Sequence, residues 1–368
     1  MSAPIELPKW ADRVLVPAIA TIASFLIAGL VVTAIGENPL DATRILIEGS
    51  LGSSEGLGFT LYYATDFIFT GLAVAVAFHA GLFNIGVEGQ ATLAGIGATL
   101  ACLRFDDQPT VIVLPIAIGA AVVSGALYAF IPGYLQARRG SHVVITTIMF
   151  NFLAAILLVY LLVNVIGNPK SMAPETRSFG ANAHLAFIHD LARALGFNMP
   201  TTPLNLSFPL ALLAAFGTWL TVYRSRLGNA IRTVGASPPA AVYAGISPSR
   251  ITMLAMALSG ALAAGLALNE VMGVQQRLLP EFTSGYGFVG IAVALMGRAH
   301  PVGIILAAIL FGVLYQGGQA LSIDMPKISR DMIVVIQGLV VLFAGALEHM
   351  FRRPVATLLA RRTAQPPI

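Results

Sequence analysis

The polar side chains of one apolar, glycine-rich segment are the first candidates for function. FHAGLFNIGVEGQATLAGIGA, from Phe78 to Ala98, contains Asn84, Glu88 and Gln90 among residues that suit a membrane interior. Polar groups at membrane depth are costly, and they persist where they are buried in protein or line a wet cavity. This pattern predicts a broken helix that lines a path for a polar solute. A tightly packed turn whose polar groups satisfy one another is the alternative.

A second short, glycine-rich segment follows later in the chain. It is GYGFVGIAVALMGRAHP, from Gly285 to Pro301. Paired short segments of this kind in the two halves of a transporter indicate a central site. We therefore expect short broken helices near 81–103 and 285–297, in two five-helix inverted halves. Asn151, within TTIMFNFLAAILL, must also face protein or water, and either a ligand contact or a helix–helix hydrogen bond would satisfy its amide.

The sequence lacks the residues for ATP hydrolysis or metal binding. Each of the three lysines, Lys9, Lys170 and Lys327, follows a proline, so a G-x-x-x-x-G-K-[ST] phosphate loop is impossible. The histidines do not have metal-ligand spacing such as H-E-x-x-H. The single cysteine, Cys102, can form no internal disulfide. We predict no catalytic residue, no metal ligand and no cofactor bound by this chain, which is therefore not expected to be an enzyme.

The segment 224–250, RSRLGNAIRTVGASPPAAVYAGISPSR, differs in character from the apolar stretches around it. Pro238 and Pro239 divide it, and NAIRTVG and AAVYAG are typical of short helices. Its small apolar residues would suit the groove of a partner protein, which predicts a docking element. A solvated basic connector is the alternative.

The composition requires a membrane. Of the 368 residues 57% are apolar and only 10% are charged, whereas a soluble domain has about a quarter of its residues charged. A crossing needs about 20 mostly apolar residues. Apolar stretches of suitable length occupy 14–35, 59–79, 110–137, 143–167, 206–223, 251–272, 301–322 and 331–351. With the two short segments, we predict an all-α integral membrane protein with about ten transmembrane helices in a single domain over 1–368.

Basic residues set the orientation. With a cytoplasmic amino terminus, ten crossings place 13 of the 21 Lys and Arg residues inside, namely Lys9, Arg13, Arg138, Arg139, Arg224, Arg226, Arg232, Arg250, Arg298, Arg352, Arg353, Arg361 and Arg362. Cytoplasmic loops carry this excess. We expect both termini in the cytoplasm, 168–205 as an outside insertion and 224–250 as a cytoplasmic loop. The apolar run 14–35 is too long for a cleaved signal and is expected to be retained. Basic residues are not clustered, so nucleic acid is not an expected partner.

Four motifs in order carry a family resemblance: GLFNIGVEGQATLAGIGA, RLGNAIRTVGASPPAAVYAGIS, SGALAAGLA and GYGFVGIAVALMGRAHP. Together they resemble bacterial binding-protein-dependent ABC permeases of the group that imports ribose, other simple sugars, branched-chain amino acids and nucleosides. NIGVEGQ, TTIMFNFLA and the insertion at 168–205 are most similar to the nucleoside-type permeases.

The resemblance implies a function and a set of partners. The expected function is import of nucleosides or a related small polar solute across the bacterial inner membrane, by alternating access. The implied partners are a cytoplasmic ABC ATPase that uses ATP and Mg, a second and shorter permease chain, and an extracellular or periplasmic binding protein or lipoprotein. Membrane lipid surrounds the chain.

The resemblance also assigns residues to roles. It places Phe83, Asn84, Glu88 and Gln90 near the substrate pathway, to which residue type adds Asn151. It places the segment from Gly228 to Gly245 at the ATPase as a coupling element, with Gly228, Arg232, Gly235, Ala240, Ala241 and Gly245 as its candidate residues.

Two other functions are open at this point. A ribose- or galactose-type simple-sugar permease belongs to the same class. An ion-coupled secondary transporter belongs to a different class, and there Glu88, Asp66 and Glu270 would carry the coupling protons or ions.

Overall fold

The computed structural model of the protein describes residues 15–329 and 332–340, together with the single residues 8, 342, 350 and 356. Helices make up its regular structure, and an isolated bridge joins Phe187 to Asn205. The α-helices are α1 (Val16–Ile35), α2 (Pro39–Leu51), α3 (Ser54–His79), α4 (Val87–Phe105), α5 (Thr110–Arg139), α6 (Val143–Asn164), α7 (Ile188–Ala194), α8 (Ser207–Trp219), α9 (Arg226–Ala236), α10 (Pro238–Tyr243), α11 (Pro248–Ala267), α12 (Tyr286–Met296) and α13 (Pro301–Asp324). Two π-helical segments, Leu220–Arg224 and Leu268–Gln275, extend α8 and α11, and residues 332–340 are helical.

Five helices among the described residues are long and apolar enough to cross a membrane. They are α3, α5, α6, α13 and the continuous helix Pro248–Gln275. The predicted crossings 59–79, 110–137, 143–167, 206–223, 251–272 and 301–322 all fall on helices. The crossing predicted at 14–35 falls on α1, but the next helix, α2, is turned by 117° relative to it. The predicted crossing 331–351 lies partly outside the described residues.

The two predicted broken helices differ from each other. At 81–103 the break is confined to the non-helical residues 81–86, and α4 then runs without interruption for 19 residues. Its glycines do not break it because the helix is buried among its neighbours: Gly95 packs against Phe282 and Gly97 against Ser124. Tertiary packing overrides the low helix propensity of glycine. The second segment is short, as predicted, since α12 has 11 residues.

The chain divides into two compact units, residues 54–312 and residues 1–53 with 313–368. In the larger unit α3 is central, since most of its residues are buried, whereas most residues of α5 and α6 are not. Helices α5 and α11 cross where Gly125 meets Gly260, so closely that a Cβ on either would strike the other's carbonyl. Small residues allow such close helix approach in membranes. The outer faces of α5 and α6 are exposed and carry large apolar side chains.

The smaller unit has its own core. The described side chains from α1, α2, the end of α13 and the helical residues 332–340 form one apolar cluster, which includes Val32, Leu46, Leu321, Ile336 and Val340. Gly317 allows α13 to approach α2, since a Cβ there would strike Leu46. A peripheral ion pair joins Lys327 to Glu37 at 3.2 Å.

The long polar segment 168–205 belongs to the larger unit and packs against the end of α4 and the residues before α12. The Arg177 Nη1 atom donates to Asp106 Oδ2 at 2.6 Å, at the end of α4, and the Gly180 N–H donates to the same oxygen at 2.9 Å. The Thr176 N–H donates to the Leu278 carbonyl at 3.1 Å. The Arg177 guanidinium lowers the pKa of the Asp106 carboxyl below its usual value, because the hydrogen-bonded charge pair favours the ionised form.

Candidate functional site

The amino-terminal ends of α4 and α12 meet at Glu88, which lies in the first turn of α4. The Glu88 Oε1 atom accepts from the Thr283 hydroxyl at 2.5 Å and from the Gly285 N–H at 3.0 Å, and its Oε2 atom accepts from the Gly287 N–H at 2.8 Å. The first N–H groups of a helix have no partner within the helix, and the helix dipole favours a negative charge there. Glu88 therefore acts as the cap of α12, supplied by another helix.

Two glycines make this contact possible. Gly285 has φ +76°, a left-handed backbone conformation that residues with a side chain rarely adopt. A Cβ on Gly287 would lie 2.6 Å from the Glu88 Cα atom, so only glycine lets the two backbones approach. The G-x-G spacing at 285–287 is the sequence signal for this helix start.

Asn151 of α6 caps α4 in the same way. Its Oδ1 atom accepts from the Gly89 N–H at 2.9 Å, and its Nδ2 atom donates to the Ile85 carbonyl at 3.0 Å. One amide thus satisfies both the helix start and the non-helical residues before it. In the structure the Asn151 amide forms its hydrogen bonds with backbone groups rather than with another side chain.

Asn84 and Gln90 form a closed polar network. Their amides pair reciprocally, at 3.1 and 3.2 Å, and the Asn84 Nδ2 atom also donates to the Ser259 hydroxyl at 2.8 Å. The Ser259 hydroxyl in turn donates a hydrogen bond to the Ala73 carbonyl at 2.6 Å. All three side chains are buried. The network ties residues 81–86 and α4 to α3 and α11, and its hydrogen bonds are made within the chain.

The carboxyl-terminal end of α12 is also held. The His79 Nε2 atom, at the end of α3, lies 3.0 Å from the Ala299 carbonyl and 3.3 Å from the Tyr223 hydroxyl. Arg298 and Ala299 both have φ +52°, so the chain leaves α12 through a tight left-handed turn. The hairpin from the end of α3 to the start of α4 therefore forms hydrogen bonds at both ends of α12.

The predicted coupling segment forms two short helices, α9 and α10. The Ser225 hydroxyl caps α9 by accepting from the Gly228 N–H at 2.9 Å, and Ser237 caps α10. Ile231, Val234 and Ala241 are buried in a cluster with Leu82 and Met256. The helices thus pack on the rest of the larger unit and are not a loose connector.

A backbone contact joins this segment to the α3–α4 hairpin. Gly81 and Gly235 lie against each other: if Gly81 had a Cβ atom, it would lie only 3.3 Å from the Gly235 Cα atom. A Cβ on Gly235 would itself lie 2.9 Å from the Gly81 N atom and closer still to the His79 carbonyl. Helix α9 is therefore in direct backbone contact with residues 79–81.

The residues predicted for coupling separate into two faces. Gly228 and Ala241 are buried, and Gly235 is half-buried. Arg232 is exposed, with its guanidinium over the Tyr223 ring at 5.5 Å. Ala240 and Gly245 are exposed as well, beside Val242 and Tyr243, which is 97% exposed. Ala240 is thus on the free face of α10, because the turn that buries Ala241 directs its neighbours outward.

Of the predicted pathway residues, Glu88, Asn151, Asn84 and Gln90 lie together around the start of α4, and Phe83 is half-buried beside them. Sequence reasoning missed Thr283, and it missed Ser259 although the motif SGALAAGLA contains it. The hydrogen bonds of these two hydroxyls cannot be predicted from the neighbouring sequence, because their partners lie 195 and 175 residues away.

The described residues contain no group of three or more His, Cys, Asp and Glu side chains that could hold a metal ion. The geometry suits the positioning and movement of helices.

Five long apolar helices among the described residues, with polar groups gathered where two helices start inside the bundle, indicate a multi-pass membrane protein. Comparison with known proteins gives the family. Residues 56–345 match the family described as branched-chain amino acid transport system, permease component, and the chain belongs to this family.

Three relatives match over most of their length. The chain is 34% identical to the nucleoside ABC transporter permease protein NupB of Lactococcus lactis subsp. cremoris, over 90% of each chain. It is 33% identical to the guanosine ABC transporter permease protein NupP of Bacillus subtilis, over 92% of this chain and 94% of the relative. It is 32% identical to the glucose ABC transporter permease protein TsgB13 of Haloferax volcanii, over 94% and 90%. The predicted family and class of function are confirmed, and the comparisons do not favour a secondary transporter.

Proposed function

We propose that this chain forms part of the pathway of an ABC importer for nucleosides. The support is the similarity to NupB and NupP over nine-tenths of the chain. A simple sugar is the second candidate solute, because TsgB13 is similar to nearly the same degree. Uptake of labelled guanosine by the assembled importer, in competition with unlabelled uridine, glucose and ribose, tests this. Absence of guanosine uptake, together with uptake of labelled glucose or ribose by the same importer, would replace the nucleoside with a sugar.

The α3–α4 hairpin and α12 form the moving part of the pathway in this proposal. Alternating access requires a packed element with two arrangements. Helix α12 suits this role because it is short and is held at its ends, by Glu88 and by His79. The substrate pathway would then pass beside Phe83, Asn84, Glu88, Gln90 and Asn151, with Asn84 and Gln90 as its buried support.

The α9–α10 segment would couple this movement to a separate ATPase, which binds ATP and Mg. The observation that carries this step is the contact of Gly235 with Gly81, since it links a surface helix to the α3–α4 hairpin. The free face of α10, around Ala240 and Tyr243, is the expected docking surface. The chain has no phosphate loop of its own.

Ala240→Glu tests the docking surface. A charge placed on a face that packs against a partner should weaken assembly, so the ATPase should co-purify poorly while the permease level is unchanged. Ala181→Glu, the same change at an exposed alanine of the segment 168–205, is the matched control. Equal recovery of the ATPase with both variants would remove α10 from the interface.

We propose ten crossings of the bacterial plasma membrane in one permease domain over 1–368, in two inverted halves, with both termini cytoplasmic. The basic residues support this orientation. Met172 and Tyr243, 107% and 97% exposed, are suitable sites for single cysteines in a chain without Cys102. An impermeant thiol reagent added to spheroplasts should label Met172→Cys and leave Tyr243→Cys unlabelled. The reverse result would invert the topology.

The remaining partners follow from the family. We propose a second, different and shorter permease chain, and a binding protein or lipoprotein that delivers the solute to the segment 168–205. Lactococcus lactis has a second nucleoside ABC permease, NupC, which is 26% identical to this chain over 69% of it. Co-purification from cells that carry the neighbouring genes tests this, and recovery of this chain as the only permease would contradict a mixed pair.

A further inference from the structure

Two buried carboxyl groups face each other between α3 and the π-helical segment Leu268–Gln275. Asp66 is 0% exposed and Glu270 is 4% exposed. Among the described residues, no hydrogen-bond partner satisfies either carboxyl oxygen of Asp66, and both atoms are inaccessible to water. An ionised carboxylate in such a position is strongly disfavoured.

Glu270 is the neighbour that can resolve this. Its two oxygens accept from the Tyr62 hydroxyl and from the Gln275 Nε2 atom, the latter at 3.1 Å. Asp66 follows Tyr62 by one turn on the same face of α3, so its carboxyl lies on the side of the helix that meets Glu270. Two carboxylates have only acceptors and repel each other, whereas a carboxylic acid donates its proton to a carboxylate. One proton would therefore satisfy both groups.

A proton fits the site beside Asp66 better than another side chain or a cation does. The Asn269 amide lies beside Asp66 but makes no hydrogen bond of good geometry to it. Its Nδ2 atom donates to the Tyr62 carbonyl at 3.5 Å and its Oδ1 atom accepts from Asn205 at 2.9 Å. The Asp66 oxygens touch no space large enough for a water molecule, which leaves no room for a hydrated cation. A proton needs no cavity.

We propose that Asp66 and Glu270 share a single proton and that this proton fastens α3 to the π-helical segment. π-Helical turns occur frequently at functional sites. The titratable groups that face the pair are Tyr62 of α3 and Tyr286 of α12, whose ring lies 5.5 Å from that of Phe67. The fastening is therefore next to the start of α12. Loss of the proton would leave two negative charges in a dry site, so separation of α3 from this segment is coupled to proton exchange.

Infrared spectroscopy of the protein in membranes tests this without reference to the solute carried, so it goes beyond the proposed function and can fail independently of it. The wild-type protein at neutral pH should show the C=O band of a protonated carboxyl group. Asp66→Asn and Glu270→Gln should each shift or remove the band, because each leaves only one carboxyl of the pair. Asp106→Asn is the matched control, since Asp106 is ionised beside Arg177 and its replacement should leave the band in place.

Three results would overturn the proposal. They are the absence of the band from the wild type, a band unchanged in both variants, and a band altered by only one of them, which would place the proton on a single carboxyl. If Asp66→Asn does not accumulate, Tyr62→Phe removes a donor to Glu270 and should move the same band. An unmoved band in Tyr62→Phe would then count against the shared proton.

Discussion

Replacing Glu88 with glutamine should detach α12 from α4 without unfolding the protein. The carboxylate accepts two backbone N–H groups, one on each oxygen, together with the Thr283 hydroxyl. A glutamine amide offers one acceptor oxygen and turns an NH₂ group toward the other N–H. Either Gly285 or Gly287 therefore loses its partner.

The cost can be worked out from these contacts. A buried donor left unsatisfied costs about 1–3 kcal/mol. Loss of the negative charge at the start of α12 adds up to about 2 kcal/mol in a partly buried site. The sum of about 1–5 kcal/mol raises the population of the detached helix roughly 5- to 4000-fold, since about 1.4 kcal/mol corresponds to a factor of ten. Helix α12 is a small part of the fold, so uptake should fall far more than the melting temperature does.

The assay is solute uptake by vesicles that contain the complete importer, with the melting temperature of the purified complex measured in parallel. Glu55→Gln is the matched control, because Glu55 is exposed at the start of α3 and surface changes usually cost less than about 0.5 kcal/mol. Wild-type uptake by a normally expressed Glu88→Gln variant would refute the role of Glu88. Equal losses in uptake and in expression would assign it to folding alone.

Three further predictions follow from the packing. Gly235→Ala should reduce transport-coupled ATP hydrolysis by the complex, because overpacking against residues 79–81 costs about 1–3 kcal/mol. Gly217→Ala is the control and should be neutral or stabilising, because the space around Gly217 is open. Equal hydrolysis by the two variants would contradict the role of the Gly235 contact. Asn84→Ala should lower the melting temperature, at a cost of about 2–4 kcal/mol, because it leaves its partners unsatisfied; an unchanged melting temperature would contradict this. The lowered pKa of Asp106 means that its pairing with Arg177 stabilises the fold at neutral pH and is lost as pH falls through that pKa, so Asp106→Asn should show a weaker acid dependence of the melting temperature than the wild type. Identical acid curves would contradict it.

The sequence alone determined the class of protein and most of its helices. Lipid imposes its requirement on composition, so apolar stretches of sufficient length identify membrane helices without knowledge of their neighbours. The caps of α9 and α10 are also local signals, since Ser225 and Ser237 each precede their helix by one residue. The family resemblance rested on the order of four motifs and was confirmed by comparison.

The tertiary structure decided what the polar residues do. From the sequence Glu88 is a costly polar group in a broken helix. Its role as the cap of α12 depends on Thr283 and on two N–H groups, all almost 200 positions away. Asn84 and Gln90 satisfy each other, and Ala240 is free where Ala241 is packed. Hydrogen bonds and packing across distant helices depend on how the helices are arranged, and no local pattern of residue types records that arrangement.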